Sequence, residues 1–181
     1  LFGDYNPSGK LPMSFPRTEG QIPIYYNHYF TGRPAKNDSD RHYRSAYTDL
    51  SLYPKYAFGH GLSYSSFEYG EIQLSAPAFH AGQSLTATVS LTNKSKTAGT
   101  ETVQLYIRDI TASVVRPVKE LKGFSQVTLA AWETRSVSFT LTADDLRFYN
   151  DQLQYIYEPG KFKLFIGTSS DNVKEAEFEL K

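Results

Sequence analysis

From Phe67 to Lys181 the chain alternates apolar and polar residues with a period of two. Ile72 and Leu74 begin the pattern, and Leu85, Ala87, Val89 and Leu91 continue it with Thr86, Thr88, Ser90 and Thr92 between them. Val103, Leu105 and Ile107 repeat it, as do Val127 and Leu129, then Val137, Phe139 and Leu141. Phe162, Leu164 and Ile166 follow, and Ala176, Phe178 and Leu180 close the series. Successive side chains of an extended strand point to opposite faces, so each series sets an apolar face on a core and a polar face outward. Gly82, residues 93–99, Gly123, Ala130-Ala131 and Pro159-Gly160 punctuate the series as turns. About seven strands in roughly 115 residues, without a helical period, predict an all-β fold. Its form is an antiparallel β-sandwich of the immunoglobulin or fibronectin III-like kind. Thr142-Ala143-Asp144-Asp145-Leu146 is one helix-like interruption, with Thr142 as N-cap and both aspartates in the first turn.

The first 66 residues have no such period. Between Tyr25 and Tyr69 stand twelve aromatic residues, yet Leu50, Leu52 and Leu62 are the only Leu, Ile or Val there. A segment of this kind cannot build its own core. It predicts an irregular extended tail that lies over a larger surface, burying ring faces while tyrosine hydroxyls find polar partners. Asn6-Pro7-Ser8-Gly9 is a turn, and Pro12 and Pro16 confine the extended piece from Lys10 to Phe15 to an edge or an irregular path. Residues 37–41 form a polar loop tip, a type of segment expected to be mobile. Gly59 and Gly61 bracket His60, where the backbone can take a positive φ or pass close to a neighbour. Phe58, Leu62, Tyr64 and Phe67 supply bulk to pin that turn, so the reading is a stiff, aromatic-anchored connector between two folded bodies.

Charge and chemistry narrow the function. Nineteen basic residues balance nineteen acidic ones, which removes the field that attracts nucleic acid or an anionic membrane. No apolar run has the length of a membrane-inserting span. The absence of cysteine excludes disulfides and thiolate metal sites, and His28, His42, His60 and His80 lack metal-ligand spacing, so neither metal nor cofactor is expected. No GxSxG elbow, phosphate loop or GxGxxG is present. Acid–base hydrolysis by paired carboxyl groups needs two of them facing one substrate. Asp144 and Asp145, as neighbours on a first turn, point apart and read as capping residues. Trp132, the sole tryptophan, falls in a turn and is expected to be exposed. A stand-alone carbohydrate-binding or adhesion module is the alternative reading. It calls for several coplanar exposed rings, and Tyr106, outward between Gln104 and Arg108, is its best candidate. The chain opens on Leu1-Phe2 without Met or signal peptide, which reads as the end of a buried element cut from a longer protein.

Specific motifs add a resemblance. AFGHGLSY at residues 57–64 is similar to the connector of family 3 glycoside hydrolases, the β-glucosidases, with Ala57 where the family often has proline. Asp4, NPSGKLP at 6–12 and FPR at 15–17 resemble the run that closes the family's second catalytic domain, an α/β sandwich. IPIYYNHYFTGRP at 22–34, YRSAYTDL at 43–50 and LYP at 52–54 resemble its periplasmic members in order. RPVKELKGF at 116–124, LRFY at 146–149, EPGKF at 158–162 and IGTSS at 166–170 resemble the fibronectin type III-like domain that follows. Ala131-Trp132 departs from the Pro-Gly that the family tends to place in that turn.

The resemblance implies three units. Residues 1–17 are the last strand of the upstream α/β sandwich, 18–66 an aromatic-rich connector, and 67–181 the fibronectin type III-like domain. It implies a parent enzyme that hydrolyses terminal β-D-glucosyl residues with retention, through an Asp nucleophile and a Glu acid/base that both lie upstream. No catalytic residue is assigned to this chain, and alone it is expected to hydrolyse nothing. The implied partners are the upstream catalytic domains, the parent's β-glucoside or oligosaccharide substrate, and a second copy in a homodimer. The implied location is the periplasm or the exterior. Arg33, Tyr47 and Asp49, in irregular sequence that by resemblance covers the catalytic body, are the candidate cleft-rim binding residues. The competing expectation is that Arg33 and Asp49 make structural ion pairs or hydrogen bonds between domains.

Overall fold

A computed structural model describes residues 3–181; the expectation placed on Leu1-Phe2 lies outside the described residues. Residues from Phe67 onward form strands β1 (Phe67–Tyr69), β2 (Gln73–Leu74), β3 (Ala78–Phe79), β4 (Ser84–Asn93), β5 (Gly99–Asp109) and β6 (Glu120–Leu129). Then come β7 (Thr134–Thr142), β8 (Phe148–Tyr149), β9 (Tyr155–Ile156), β10 (Gly160–Gly167) and β11 (Val173–Leu180). β4 is the spine of one sheet: β7 pairs along it from Ser84↔Thr142 to Thr92↔Thr134, and β1 and β2 share its other edge. The second sheet runs β3-β11-β10-β5-β6, antiparallel except where β3 meets β11. β8 and β9 make a separate short hairpin.

The alternation becomes the core as expected. Leu85, Ala87, Val89 and Leu91 of β4 and Val137 and Leu141 of β7 face Val103, Leu105 and Ile107 of β5 and Phe162, Leu164 and Ile166 of β10, all buried. Each large side chain so removed from water contributes about 1.5–3 kcal/mol before entropy is counted. Residues 143–146 form a single 3-10 turn. The Asp145 carboxylate accepts from Thr142 N (2.7 Å) and Thr142 Oγ1 (2.9 Å), and Asp144 pairs with Arg147 at 2.7 Å. The two aspartates therefore cap and brace, pointing apart.

Gly123 is not a turn. It lies inside β6 opposite Leu105, beside a register shift, and the Phe139 ring of β7 sits 3.4 Å from where its Cβ would stand.

The tail is a third layer. Leu11 N donates to His60 O, Gly59 N to Leu11 O, Phe15 N to Tyr56 O and Lys55 N to Phe15 O, each at 2.8 Å. The piece around Leu11–Phe15 thus pairs antiparallel with residues 55–60, and the pair docks on the second sheet. Ser170 N donates to Phe58 O and Val118 N to His28 O, both at 2.9 Å. Gly59 has φ +78°, and a Cβ there would collide with the Gln104 side chain; on Gly61 it would collide with Gly9 O. Both glycines serve as expected, one for conformation and closeness, the other for closeness. In the loop at residues 37–41, Asn37 Oδ1 accepts from Ser39 N and Asp40 N, and Asp38 Oδ1 accepts from Leu52 N at 2.8 Å.

Candidate functional site

Three features gather where the tail meets the sheet. The first is a polar lock. Glu101 stands at a core-facing position of β5, 4% exposed, where the alternation asks for an apolar residue. Its Oε1 accepts from Lys10 Nζ (3.0 Å), Thr168 Oγ1 (2.6 Å) and Tyr69 OH (3.1 Å). Lys10 also donates to Thr168 Oγ1 at 2.8 Å, so a tail residue neutralises a carboxylate that the sandwich could not bury alone. Burial, then the Glu101 charge, push the Tyr69 phenol far above its ordinary value. A cleft of about 620 Å³ opens over this group between β1 and the ends of β10 and β11.

The second is an aromatic seam. Tyr26 stacks on Phe58 with ring centroids 4.3 Å apart, and both meet Tyr106 edge-on at 5.8 and 6.4 Å. Tyr106 points outward from β5, as expected, but it is fully buried under those rings, with its hydroxyl on Gln104 Oε1. Gln104 Nε2 in turn donates to Thr168 O (2.6 Å) and Gly59 O (3.2 Å), and the Arg108 guanidinium lies 4.2 Å over the Phe30 ring. The exposed ring that the carbohydrate-binding alternative required is therefore absent at Tyr106. The face reads polar in sequence and is buried because the tail brings it acceptors and rings.

The third is a groove of about 770 Å³ along the tail, walled by Tyr25, Tyr29, Phe30, Tyr47 and Tyr53 and reaching Lys119 and Asp171. Lys119 Nζ donates to Ser170 O at 2.6 Å and lies 4.5 Å over the Phe165 ring; burial pulls its pKa below that of a free lysine. Of the candidate rim residues, Tyr47 lines this groove at 37% exposure, while Arg33 and Asp49 are exposed and not among its walls. Neither Arg33 nor Asp49 forms an ion pair among the described residues. Asp171 is the one carboxylate on the groove, and it accepts from Ser169 Oγ at 2.6 Å. A single engaged carboxylate does not supply the two groups that glycoside hydrolysis uses. No cluster of metal-ligating side chains occurs among the described residues, and no helix there is long and apolar enough to cross a membrane. Trp132 is 64% exposed on the β6–β7 turn and stands alone, with φ +63°.

The lock went unread in sequence, though Glu101 in phase with Val103, Leu105 and Ile107 was its signal. A charge at a core-facing position needs a partner, and nothing near it in sequence identified Lys10.

Fold and surface thus define a fibronectin type III-like sandwich with an N-terminal segment built into its outer face. Comparison with known proteins agrees in both parts. Residues 101–170 match the fibronectin type III-like domain, and residues 1–64 match the glycosyl hydrolase family 3 C-terminal domain. The chain belongs to glycosyl hydrolase family 3, as the part that joins these two domains. It is 49% identical over 180 residues to a periplasmic beta-glucosidase of Salmonella typhimurium, covering 99% of this chain and 24% of the relative. It is 42% identical over 183 residues to a beta-xylosidase of Formosa agariphila, again 24% of the relative. A beta-glucosidase of Listeria innocua, solved in complex with isofagomine, superposes with a TM-score of 0.92 at 49% identity over 98% of this chain and 25% of its own. The chain spans about a quarter of the length of the relatives it matches.

Proposed function

We propose that this chain is the bracing, non-catalytic part of a retaining β-glucosidase whose parent hydrolyses terminal β-D-glucosyl residues. The observation that carries the reading is the similarity over nearly the whole chain to the β-glucosidase of Listeria innocua, tail and sandwich together. A tail fastened along a β-sheet through Lys10, Gln104 and Tyr106 fits a rigid brace better than a hinge. In this reading residues 1–17 close the upstream α/β sandwich, 18–66 connect, and 67–181 form the fibronectin-like domain. The first strand, at Phe67, supports the last boundary.

The groove walled by Tyr47 and the exposed Arg33 and Asp49 face outward from the tail, which supports their role at the rim of the substrate cleft. The catalytic domains are the main partner, a second copy is a further one, and the periplasm or the exterior is the location. The beta-glucosidase name borne by the relative at 49% identity favours glucose over the xylose of the two Formosa agariphila beta-xylosidases at 42% and 38%.

The test is hydrolysis of p-nitrophenyl β-glucoside and β-xyloside. The 181-residue chain should release nothing from either, and the chain joined to its encoded upstream sequence should prefer the glucoside. Turnover by the chain alone, or a preference for the xyloside, overturns the reading.

A further inference from the structure

The cleft over the polar lock carries unspent hydrogen-bonding capacity. Glu101 Oε1 accepts three bonds, but its Oε2 accepts none among the described residues, although the side chain is 5% exposed and lines the cleft. Lys10 has three protons to donate, and two are used, toward Glu101 and Thr168. A free acceptor and a free donor therefore lie on one ion pair, at the floor of a cavity large enough for a small molecule. Neither atom is buried without a partner, so both are reached from the cleft, where a ligand that offers a donor and an acceptor on adjacent atoms takes the place of water.

Charge narrows the class. The other two lysines of the cleft are compensated, Lys94 by Glu68 at 3.2 Å and Lys174 by Glu71 at 2.7 Å, and Lys10 is compensated by Glu101. A site with its charges already paired gives no net attraction to an anion or a cation. Ser8, Ser66 and Asn172 on the walls add further neutral donors and acceptors.

We propose that this cleft binds a small neutral polyol, with two vicinal hydroxyls of a monosaccharide spanning Glu101 Oε2 and Lys10 Nζ. One hydroxyl donates to the carboxylate and its neighbour accepts from the ammonium. The proposal does not depend on the parent's activity: it concerns a site within the fibronectin-like domain and its tail, and a chain from an enzyme of another specificity would keep it.

The test is a titration of the ¹⁵N-labelled 181-residue chain with glucose, read by amide chemical shifts. Saturable shifts centred on Ser66, Thr168 and Lys174 are expected, with a Kd of about 1 mM. Ser66 is exposed at the cleft, so Ser66→Phe should fill it and weaken binding at least about tenfold while the melting temperature stays unchanged. Glu101→Gln should weaken binding by about the same factor while retaining the cleft's shape. Three results would overturn the proposal: amides that do not move with glucose, inorganic phosphate that shifts the same amides at equal or lower concentration, or Ser66→Phe that binds as the parent does. The hydrolysis test above can fail without touching these outcomes.

Discussion

The interior of the sandwich and the outer face of its five-stranded sheet are two sides of the same strands, held by different physics. On β5 the inward row Val103, Leu105 and Ile107 is buried in the hydrophobic core between the sheets, and its stability is spread over area. The outward row Gln104, Tyr106 and Arg108 is covered by Gly59, Tyr26, Phe58 and Phe30, each through one aimed contact. An apolar face accepts any well-shaped neighbour of the right volume. A polar face is buried only when each group finds its partner. The tail is therefore specified residue by residue, and the sandwich by pattern.

The sharpest contrast comes from one change in the core and one at the tail's polar lock. Leu164→Ala, at a position with no exposure, should cost about 3–5 kcal/mol in urea denaturation, with an unchanged slope. Lys10→Met should cost roughly 3 kcal/mol although it adds apolar surface, because it leaves Glu101 buried and unpaired. Pairing it with Glu101→Gln should recover part of that loss, a coupling that two independent sites would lack. A Lys10→Met chain as stable as its parent would mean that the tail does not lock to the sandwich.

The same contrast sets how far each region was legible. Period-two alternation located β4, β5, β7, β10 and β11 because a single buried face imposes it on every residue of a strand. Gly123 misled because a glycine reads as a turn in sequence, whereas the β5–β6 ladder runs straight through it, opposite Leu105 and beside a register shift. Tyr106 misled for a related reason. Its outward phase was correct, but the rings that bury it come from residues 26 and 58, too far away in sequence for any local pattern to register. The lock was missed because Lys10 and Glu101 lie 91 residues apart.

Gly59→Ala probes the tail contact directly. With φ at +78° and Gln104 where the methyl would go, the substitution should cost about 1–3 kcal/mol. Hydrogen exchange locates the damage: the amides of Leu11, Phe15 and Gly59 should exchange faster, while those of the β4–β7 ladder keep their protection. Uniform acceleration would instead make tail and sandwich one cooperative unit. Trp132→Gly is the control on the β6–β7 turn. It removes an exposed ring held at φ +63° and should raise stability by about 1 kcal/mol, with the tail amides unchanged.

The smallest effect is a pH dependence that reports whether the tail excludes water. Lys119 lies beneath the groove, and burial lowers its pKa below that of the unfolded chain, with Asp171 and Glu175 offsetting part of the shift. Between the two values the unfolded state binds more protons than the folded one, so stability rises with pH through that window and is penalised below it. Tyr69 and Tyr106 act in the opposite sense, since their raised values favour the unfolded phenolate once free tyrosine titrates, so the measurement is kept below about pH 9.5. The stability difference between the parent and Lys119→Met, taken from urea midpoints, should then shift in the parent's favour from about pH 7 to about pH 9.5. Gly59→Ala, by loosening the Phe58 backbone from Ser170, should flatten that trend. The same slope with and without the Gly59 substitution would mean that water already reaches Lys119, and that the aromatic layer covers the sheet without sealing it.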